Sequence, residues 1–315
     1  MIEDKGLNYG IIGNCKSSAL INADSSIDWC CLPQFDSSAV FCKIIDEKIG
    51  GSFKIEVDKS YTITQHYLNN TAILKTNFRN NENEFEVLDF MTRFKLDDKN
   101  FYNPPELQRM IRPIRGLPKI KVLYNPTLEY ANGKTKTYKK EDFIVSVFEE
   151  ASYETLFLYT DIEKNKILEN KEFELAEPVY LNLSYNEKID VPNLEKSNLE
   201  LEKTKEYWIN WCKKGPKYKL YNDEVKRSAI TLKLLTFEKT GAVLAAATTS
   251  IPETIGEVRN WDYRFCWIRD ASMVIKIIAK LGHERIVKNF IDFIVNLIPN
   301  KNEKLQIMYG IDGQK

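Results

Sequence analysis

The chain has 315 residues, and its 45 basic and 45 acidic side chains leave no net formal charge. This balance gives no electrostatic footprint for nucleic acid and no attraction to an acidic membrane surface. No apolar run approaches the ~20 residues that span a bilayer, and the first residues lack the apolar core of a secretion signal. We therefore expect a cytoplasmic protein without nucleic-acid or membrane partners.

The first 190 residues have the pattern of an antiparallel β-sandwich. Short runs of β-branched and aromatic residues alternate with turn-prone Asp-Lys, Asn-Asn and Asn-Glu pairs, and no helical pattern separates them. Strands at this spacing are typical of two packed sheets. The predicted strands are Ser52–Val57, Tyr61–Leu68, Ala72–Phe78, Glu84–Met91, Lys119–Tyr124, Phe143–Glu150 and Pro178–Ser184.

The pattern changes to helices after Pro192. A charged segment with one apolar edge, Glu195–Lys213, predicts a linker helix that ends before Gly215. We predict a second helix with Asn222 as its N-cap. Apolar stripes at helical spacing then follow, with Gly282 and Pro299 as the expected stops. The stripes are Val225, Ala229, Leu232 and Thr236; Ala271, Val274, Ile275 and Ile278; and Val287, Phe290, Ile291, Ile294 and Leu297.

The cysteines and histidines give no sign of a metal centre. Six cysteines occur without a C-x-x-C spacing, and the two histidines, His66 and His283, are far apart. We expect buried free thiols rather than zinc ligands or a disulfide scaffold. GIIG at Gly10–Gly13 lacks the spacing of a nucleotide-binding loop and is predicted to be a turn. No metal and no organic cofactor is expected.

The segment Thr249–Ser272 is the most informative part of the chain. It contains two tryptophans, three arginines, two aspartates and two glutamates, directly before an apolar helical pattern. An indole face covers the C–H face of a sugar ring, while guanidinium and carboxylate groups bind neighbouring hydroxyls. The alternative is a structural ion-pair cluster held by tryptophans at a loop–helix junction.

The same segment resembles the substrate-binding region of glycoside hydrolase family 15, the glucoamylase, glucodextranase and trehalase group. The resemblance lies in SIPE followed by RNWDYRFCWIRDAS, with TGAVLAAATTS upstream. Tyr9–Gly51 resembles the start of bacterial and archaeal members, which place a β-rich domain before the catalytic barrel. The resemblance implies a supersandwich-like β-sandwich at 1–190, a linker helix at 191–219, and the first helices of an (α/α)6 toroid at 220–315.

The resemblance also implies which residues bind sugar. Arg269 and Asp270 match an Arg-Asp pair that holds hydroxyls of the non-reducing-end glucose, and a planar guanidinium suits that task. The competing interpretation makes Asp270 the N-cap of the helix through Ile278. Trp267 and Trp261 are expected to wall the same pocket, or to anchor a buried junction.

Three further acidic and basic residues of the segment receive other roles. Asp262 and Arg264 are expected to pair and orient the loop, and Glu253 has no catalytic role in the resemblance. In the N-terminal block, Asp28, Trp29 and Asp36 are expected to fix turns and the sandwich core. A contribution of that block to the rim of the pocket stays open.

A toroid of twelve helices needs roughly 190 residues at about 11 per helix and 5 per connection, whereas 220–315 has room for three or four helices. The general acid and the general base of the family are expected beyond Lys315, so we expect an inactive chain. The apolar stripes of Val225–Thr236 and Ala271–Ile278 would lack partner helices, and a separate C-terminal toroid chain or a homo-oligomer would cover them.

The family resemblance implies an inverting hydrolase in which one carboxylic acid protonates the leaving oxygen and a second carboxylate activates water. The expected substrate is the non-reducing end of an α-linked glucan or maltooligosaccharide, with trehalose as the main alternative. A second alternative is a non-catalytic remnant that binds a glycan or a partner chain. A disaccharide phosphorylase with a similar layout fits the RNWDYRFCWIRD block less well.

Overall fold

The structure is a computed structural model that describes residues 8–97, 100–150, 153–249, 257–298 and 304–315. Strands dominate it up to Tyr185. In chain order they are β1 Tyr9–Gly13, β2 Ser18–Asn22, β3 Ser26–Cys31, β4 Ala39–Phe41, β5 Ser52–Glu56, β6 Thr62–Tyr67, β7 Leu74–Arg79, β8 Glu84–Phe90, β9 Phe94–Lys95, β10 Phe101–Tyr102, β11 Glu106–Arg115, β12 Lys119–Asn125, β13 Thr135–Lys139, β14 Phe143–Phe148, β15 Thr155–Thr160, β16 Phe173–Glu174, β17 Val179–Tyr185, β18 Cys266–Trp267 and β19 Met308–Tyr309.

After Tyr185 the described residues are mainly helical, and before it they include a short α-helix and a 3-10 turn at Glu129–Ala131. The α-helices are α1 Lys164–Leu168, α2 Leu194–Cys212, α3 Asn222–Leu234, α4 Ile268–Lys280 and α5 Glu284–Leu297. None of the helices in the described ranges is long and apolar enough to cross a membrane.

Two antiparallel sheets pack face to face. One has the order β1-β2-β3-β5-β12-β16 with β4 beside β3, and the other has the order β13-β14-β15-β17-β11-β8-β7-β6. Their inner faces share one apolar core, to which Ile27 and Phe53 contribute from the first sheet and Val87 and Leu183 from the second. The chain is therefore an antiparallel β-sandwich followed by helices of a partial toroid.

The sandwich and the helices share a second core. Phe35, in the loop after β3, is buried with Phe237 and with the inner faces of α4 and α5, and the two rings meet edge to face at 6.3 Å. The buried Trp29 donates its indole Nε1–H to the carbonyl of Ala247 at 2.8 Å. Apolar burial of this kind fixes the loop after β3 against the helical part.

The strand and helix predictions are largely confirmed. All seven predicted strands occur with their ends within two residues, and α2 lies within one residue of the predicted linker helix. Gly282 adopts a positive φ of 77° directly after the C-cap of α4, as expected of a C′ glycine. All six cysteines are free and buried, which confirms the expectation of structural thiols. The predicted stop at Pro299 lies outside the described residues.

Three predictions are wrong. Gly10–Gly13 belongs to strand β1, because its backbone pairs with β2. Asn222 is the first residue of α3 rather than its N-cap, since its Oδ1 accepts the backbone N–H of Tyr218 and Tyr221 takes the capping position. The stripe of α4 is not left without partners, because Ala271, Ile275 and Ile278 are buried in the second core.

Candidate functional site

The candidate site is formed where the chain enters α4. Trp267 has an extended backbone (φ −77°, ψ 117°) and takes the N-cap position, while β18 pairs with β19 just before it. Asp270 lies in the first turn of α4, so the interpretation of Asp270 as the N-cap is wrong. Its carboxylate is nevertheless favourably placed, because the N-terminal end of a helix carries partial positive charge.

Aromatic rings surround this helix start. Trp261 and Trp267 meet edge to face, with ring centroids 6.1 Å apart, and the Tyr263 ring lies 6.2 Å from Trp267. Trp261 is 46% exposed, which is unusual for so large an apolar side chain. The Trp267 indole donates its Nε1–H to the carbonyl of Asp262 at 3.1 Å. The three rings therefore form an aromatic surface that is open to solvent at Trp261 and partly buried at Tyr263 and Trp267.

Arg269 and Asp270 stand beside this surface. The Arg269 Nε donates to Asp270 Oδ2 at 3.2 Å, and the guanidinium carbon lies 6.0 Å from the Trp267 ring centroid. The two side chains are 71% and 38% exposed. Within the described part of the chain, the other guanidinium nitrogens of Arg269 make no hydrogen bond. The pair therefore keeps donors and acceptors available for the neighbouring hydroxyls of a bound ligand.

Asp262 and Arg264 form a second, inner pair. The Arg264 Nη2 donates to Asp262 Oδ2 at 2.7 Å, and its Nε lies within 3.3 Å of both carboxylate oxygens. Arg264 is only 6% exposed. Burial lowers the pKa of the Arg264 guanidinium, but the hydrogen bond to Asp262, together with the electrostatic effect of Cys31 and of Asp262, raises it overall. The predicted structural pairing of these two residues is confirmed.

The β-sandwich contributes to the site through Arg264. The Arg264 Nη1 donates to the carbonyl of Ser37 at 2.8 Å and to that of Phe35 at 3.4 Å. The Tyr130 ring lies 5.5 Å from the guanidinium carbon, and burial raises the pKa of Tyr130 to about 12. Sequence reasoning missed Tyr130, because nothing in one sequence marks a tyrosine between β12 and β13 as a neighbour of residue 264.

All four predicted sugar-binding residues are thus brought together, whereas Glu253 lies outside the described residues. A cavity of about 750 Å³ lies elsewhere, between the β9–β10 hairpin, α2 and the start of α5, and none of the four residues lines it. In the described ranges, no group of three or more His, Cys, Asp or Glu side chains has the geometry to hold a metal ion. The chemistry available at the site is hydrogen bonding and stacking.

Comparison with known sequences decides the family. The profile described as "Trehalase-like, N-terminal" matches residues 7–185, and the profile described as "Glycosyl hydrolases family 15" matches residues 219–315. The chain belongs to glycoside hydrolase family 15. The first match ends where the sandwich ends, at Tyr185, and the second includes the four predicted sugar-binding residues at 261–270.

Several relatives of this family 15 chain are named trehalase. The trehalase of Thermoplasma acidophilum is 32% identical over 303 residues, covering 93% of this chain and 51% of the relative. The trehalase of Thermoplasma volcanium is 31% identical, and the match covers 96% of this chain and 49% of the relative. The trehalase of Mycobacterium tuberculosis is 28% identical, and the match covers 98% of this chain and 49% of the relative. The chain spans about half the length of the curated relatives it matches.

Proposed function

We propose that this chain supplies the saccharide-binding half of a trehalase-type glycoside hydrolase. The proposal places a glucose unit on the aromatic surface of Trp261 and Trp267, with Arg269 and Asp270 at two of its hydroxyls. Trehalose is put first because the relatives that support the proposal are named trehalase. Maltooligosaccharides and the ends of α-glucans are the second candidates, since the same hydroxyls are present at their non-reducing ends.

One observation carries the proposal: a solvent-exposed Arg–Asp pair stands at a helix start, beside the exposed Trp261 ring and the partly buried Trp267 ring. A structural cluster would bury these groups, as the chain does with Asp262 and Arg264. Charged groups kept at the surface beside large apolar rings suit a ligand that is apolar on its faces and hydroxylated at its edge.

Hydrolysis needs more than this half-site. Inversion requires a carboxylic acid and a carboxylate about 6.5–9.5 Å apart, on opposite faces of the scissile bond. In the candidate segment, each aspartate forms an ion pair with an arginine, Asp262 with Arg264 and Asp270 with Arg269. We therefore assign the acid–base pair to the part of a family 15 enzyme that this chain does not cover, supplied in the same protein or by a separate chain.

Complementation tests this function. The purified 315-residue chain is mixed, or co-expressed, with the C-terminal half of Thermoplasma acidophilum trehalase, and glucose release is measured from trehalose, maltose and maltotriose. We expect no turnover by the chain alone, because lack of a proton donor and of a base each costs at least ~10²-fold. We expect trehalose hydrolysis by the mixture.

Each other result has a clear meaning. Preferred cleavage of maltotriose by the mixture would make the protein a glucoamylase-type enzyme. Saccharide binding by the chain without turnover in any mixture would favour a non-catalytic glycan-binding protein. Turnover by the chain alone would overturn the assignment of the acid–base pair and direct attention to Asp262, Asp270 and the glutamates near residue 253.

A further inference from the structure

A left-handed turn projects from the sandwich toward the candidate site. Three consecutive residues with β-carbons, Glu129, Tyr130 and Ala131, have φ values of 51°, 57° and 60°. Left-handed backbone is disfavoured for such residues, because the β-carbon approaches the following carbonyl oxygen. Strained residues of this kind persist only where surrounding contacts hold them, and they concentrate at functional sites.

The contacts that hold the turn lead to the loop after β3. The Ser38 hydroxyl donates to Glu129 Oε2 at 2.9 Å, and the Tyr130 hydroxyl donates to the carbonyl of Ser37 at 3.1 Å. The backbone N–H of Leu128 donates to the Thr135 hydroxyl at 2.9 Å. The strain is thus balanced by hydrogen bonds to the same loop that accepts from Arg264.

Arg264 connects that loop to the candidate site. Its Nη1 donates to the carbonyl of Ser37 in the loop, and its Nη2 donates to Asp262. The guanidinium also lies over the Tyr130 ring. The carbonyl of Asp262 in turn accepts the Trp267 indole N–H. A continuous set of contacts therefore runs from the turn at Tyr130, through Arg264, to the aromatic surface.

We propose that Tyr130 and Arg264 are positioning residues through which the β-sandwich holds the saccharide-binding segment in place. The identity of that segment as a saccharide site rests on the proposed function. The left-handed turn places the Tyr130 ring against the buried guanidinium of Arg264. Arg264 in turn holds Asp262, and the carbonyl of Asp262 accepts the indole N–H of Trp267. The sandwich is then part of the binding site without touching the ligand.

Hydrogen exchange in the full 315-residue chain tests the proposal without any ligand. The reporting amides are those of Ala245, Ala246 and Arg264, which bond to Phe265, Tyr263 and Asp262. Tyr130→Gly removes the ring and also relieves the left-handed backbone, because glycine adopts it freely. We expect exchange of these amides to be roughly tenfold faster in Tyr130→Gly, with a melting temperature that is unchanged or higher.

Ala131→Gly is the matched control. It relaxes the same turn but leaves the Tyr130 ring and Arg264 in contact, so exchange near residue 264 should stay as in the parent chain. Arg264→Lys keeps the charge and loses the planar fork, so it should behave like Tyr130→Gly in exchange. Parent-like exchange of the three amides in both variants would overturn the proposal. So would acceleration that spreads equally to β8 and β11, because Tyr130 would then serve the general stability of the sandwich.

A second measurement separates this proposal from the proposed function. Trehalose binding to the same chains is followed by titration calorimetry. If the parent chain binds, Tyr130→Gly should weaken the affinity roughly tenfold while Ala131→Gly binds normally. If no chain binds trehalose but the exchange results hold, positioning by Tyr130 and Arg264 stands and the saccharide assignment fails.

Discussion

At the scale of single residues, solvent exposure distinguishes two ion pairs that the sequence places five positions apart, Asp262–Arg264 and Arg269–Asp270. Arg264 is buried and its partner Asp262 is mostly buried, whereas Arg269 and Asp270 face solvent. An exposed ion pair contributes little to stability, on the order of 0–1 kcal/mol. The outer pair is therefore free to bind a ligand, while the inner pair fixes the segment to the sandwich.

The outer pair gives a prediction for the complemented enzyme. Arg269→Lys loses the planar fork, and Asp270→Asn replaces a charged acceptor with a neutral amide. Each should lower kcat/KM for trehalose by roughly 1.5–3 kcal/mol, the usual contribution of a hydrogen bond to a charged group. The melting temperature should change little. Asp292→Asn, at another exposed ion pair with Lys288, is the control and should leave kinetics unchanged. Parent-like kinetics for Asp270→Asn would remove Asp270 from the site.

The role of a residue could be predicted from the sequence where it depends on neighbours in the chain. It could not be predicted where it depends on contacts with residues far away in the sequence. The pairing of Asp262 with Arg264 follows from their spacing. Strand β11 was not predicted, because the buried Arg109 breaks its apolar pattern. The Arg109 charge is tolerated there since Asp89, 20 positions away, binds its Nε at 2.7 Å. Tyr130 was missed for the same reason: its partner is more than a hundred residues away.

At the scale of elements, a buried polar layer joins helix α2 to the outer face of the second sheet. The Glu200 carboxylate of α2 accepts from Thr92 at 3.0 Å and from the Gln108 amide of β11. Glu106 of the same strand accepts from Asn182 at 3.2 Å. Burial, reinforced by the nearby Glu200 charge, raises the pKa of Glu106 to about 7. Neutral Glu106 therefore suits the α2–sheet contact better than its carboxylate.

This raised pKa predicts a pH-dependent stability. In the unfolded chain Glu106 ionises near pH 4.5, but in the folded chain only near pH 7. Between these values the folded state binds more protons, so the free energy of unfolding falls as pH rises. The loss amounts to roughly 3 kcal/mol. Glu106→Gln, which mimics the neutral acid, should match the parent chain below pH 4.5 and exceed its melting temperature by several degrees at pH 8.

Thermal melts from pH 4 to pH 8 measure this difference. Glu174→Gln provides the control, because Glu174 lies exposed at the edge strand β16 and should show the parent profile. Parallel profiles for Glu106→Gln and the parent chain would mean that Glu106 is ionised in the folded protein at neutral pH. The α2–sheet contact would then need a different account.

At the scale of the whole molecule, helices α4 and α5 have apolar residues on two faces. One face of each is buried in the core shared with the sandwich. On the other, Met273 and Ile277 of α4 are 59% and 46% exposed, and Ile291 and Val295 of α5 are 52% and 63% exposed. A helix that is apolar on both sides is typical of an element packed between neighbours. Met273, Ile277 and Val295 lie outside the stripes that the sequence predicted, whereas Ile291 belongs to the predicted stripe of α5.

These outer faces predict association of the isolated chain. A contiguous apolar surface drives self-association or binding of a complementary chain. We expect the parent chain to form dimers or larger species in sedimentation velocity runs and to bind a hydrophobic dye. The double change Ile291→Lys and Val295→Lys should reduce both, and should also impair rescue of trehalose hydrolysis by the C-terminal half of a relative. Its fold should persist, because both side chains are exposed already.

Leu199→Lys is the matched control, since Leu199 is 53% exposed on α2, away from these faces. It should leave association and rescue as in the parent chain. A parent chain that stays monomeric and dye-silent at high concentration would show that the outer faces of α4 and α5 need no cover. Association lost in the double variant with rescue intact would separate the two roles: the faces would join copies of this chain, and the C-terminal half of the relative would dock elsewhere.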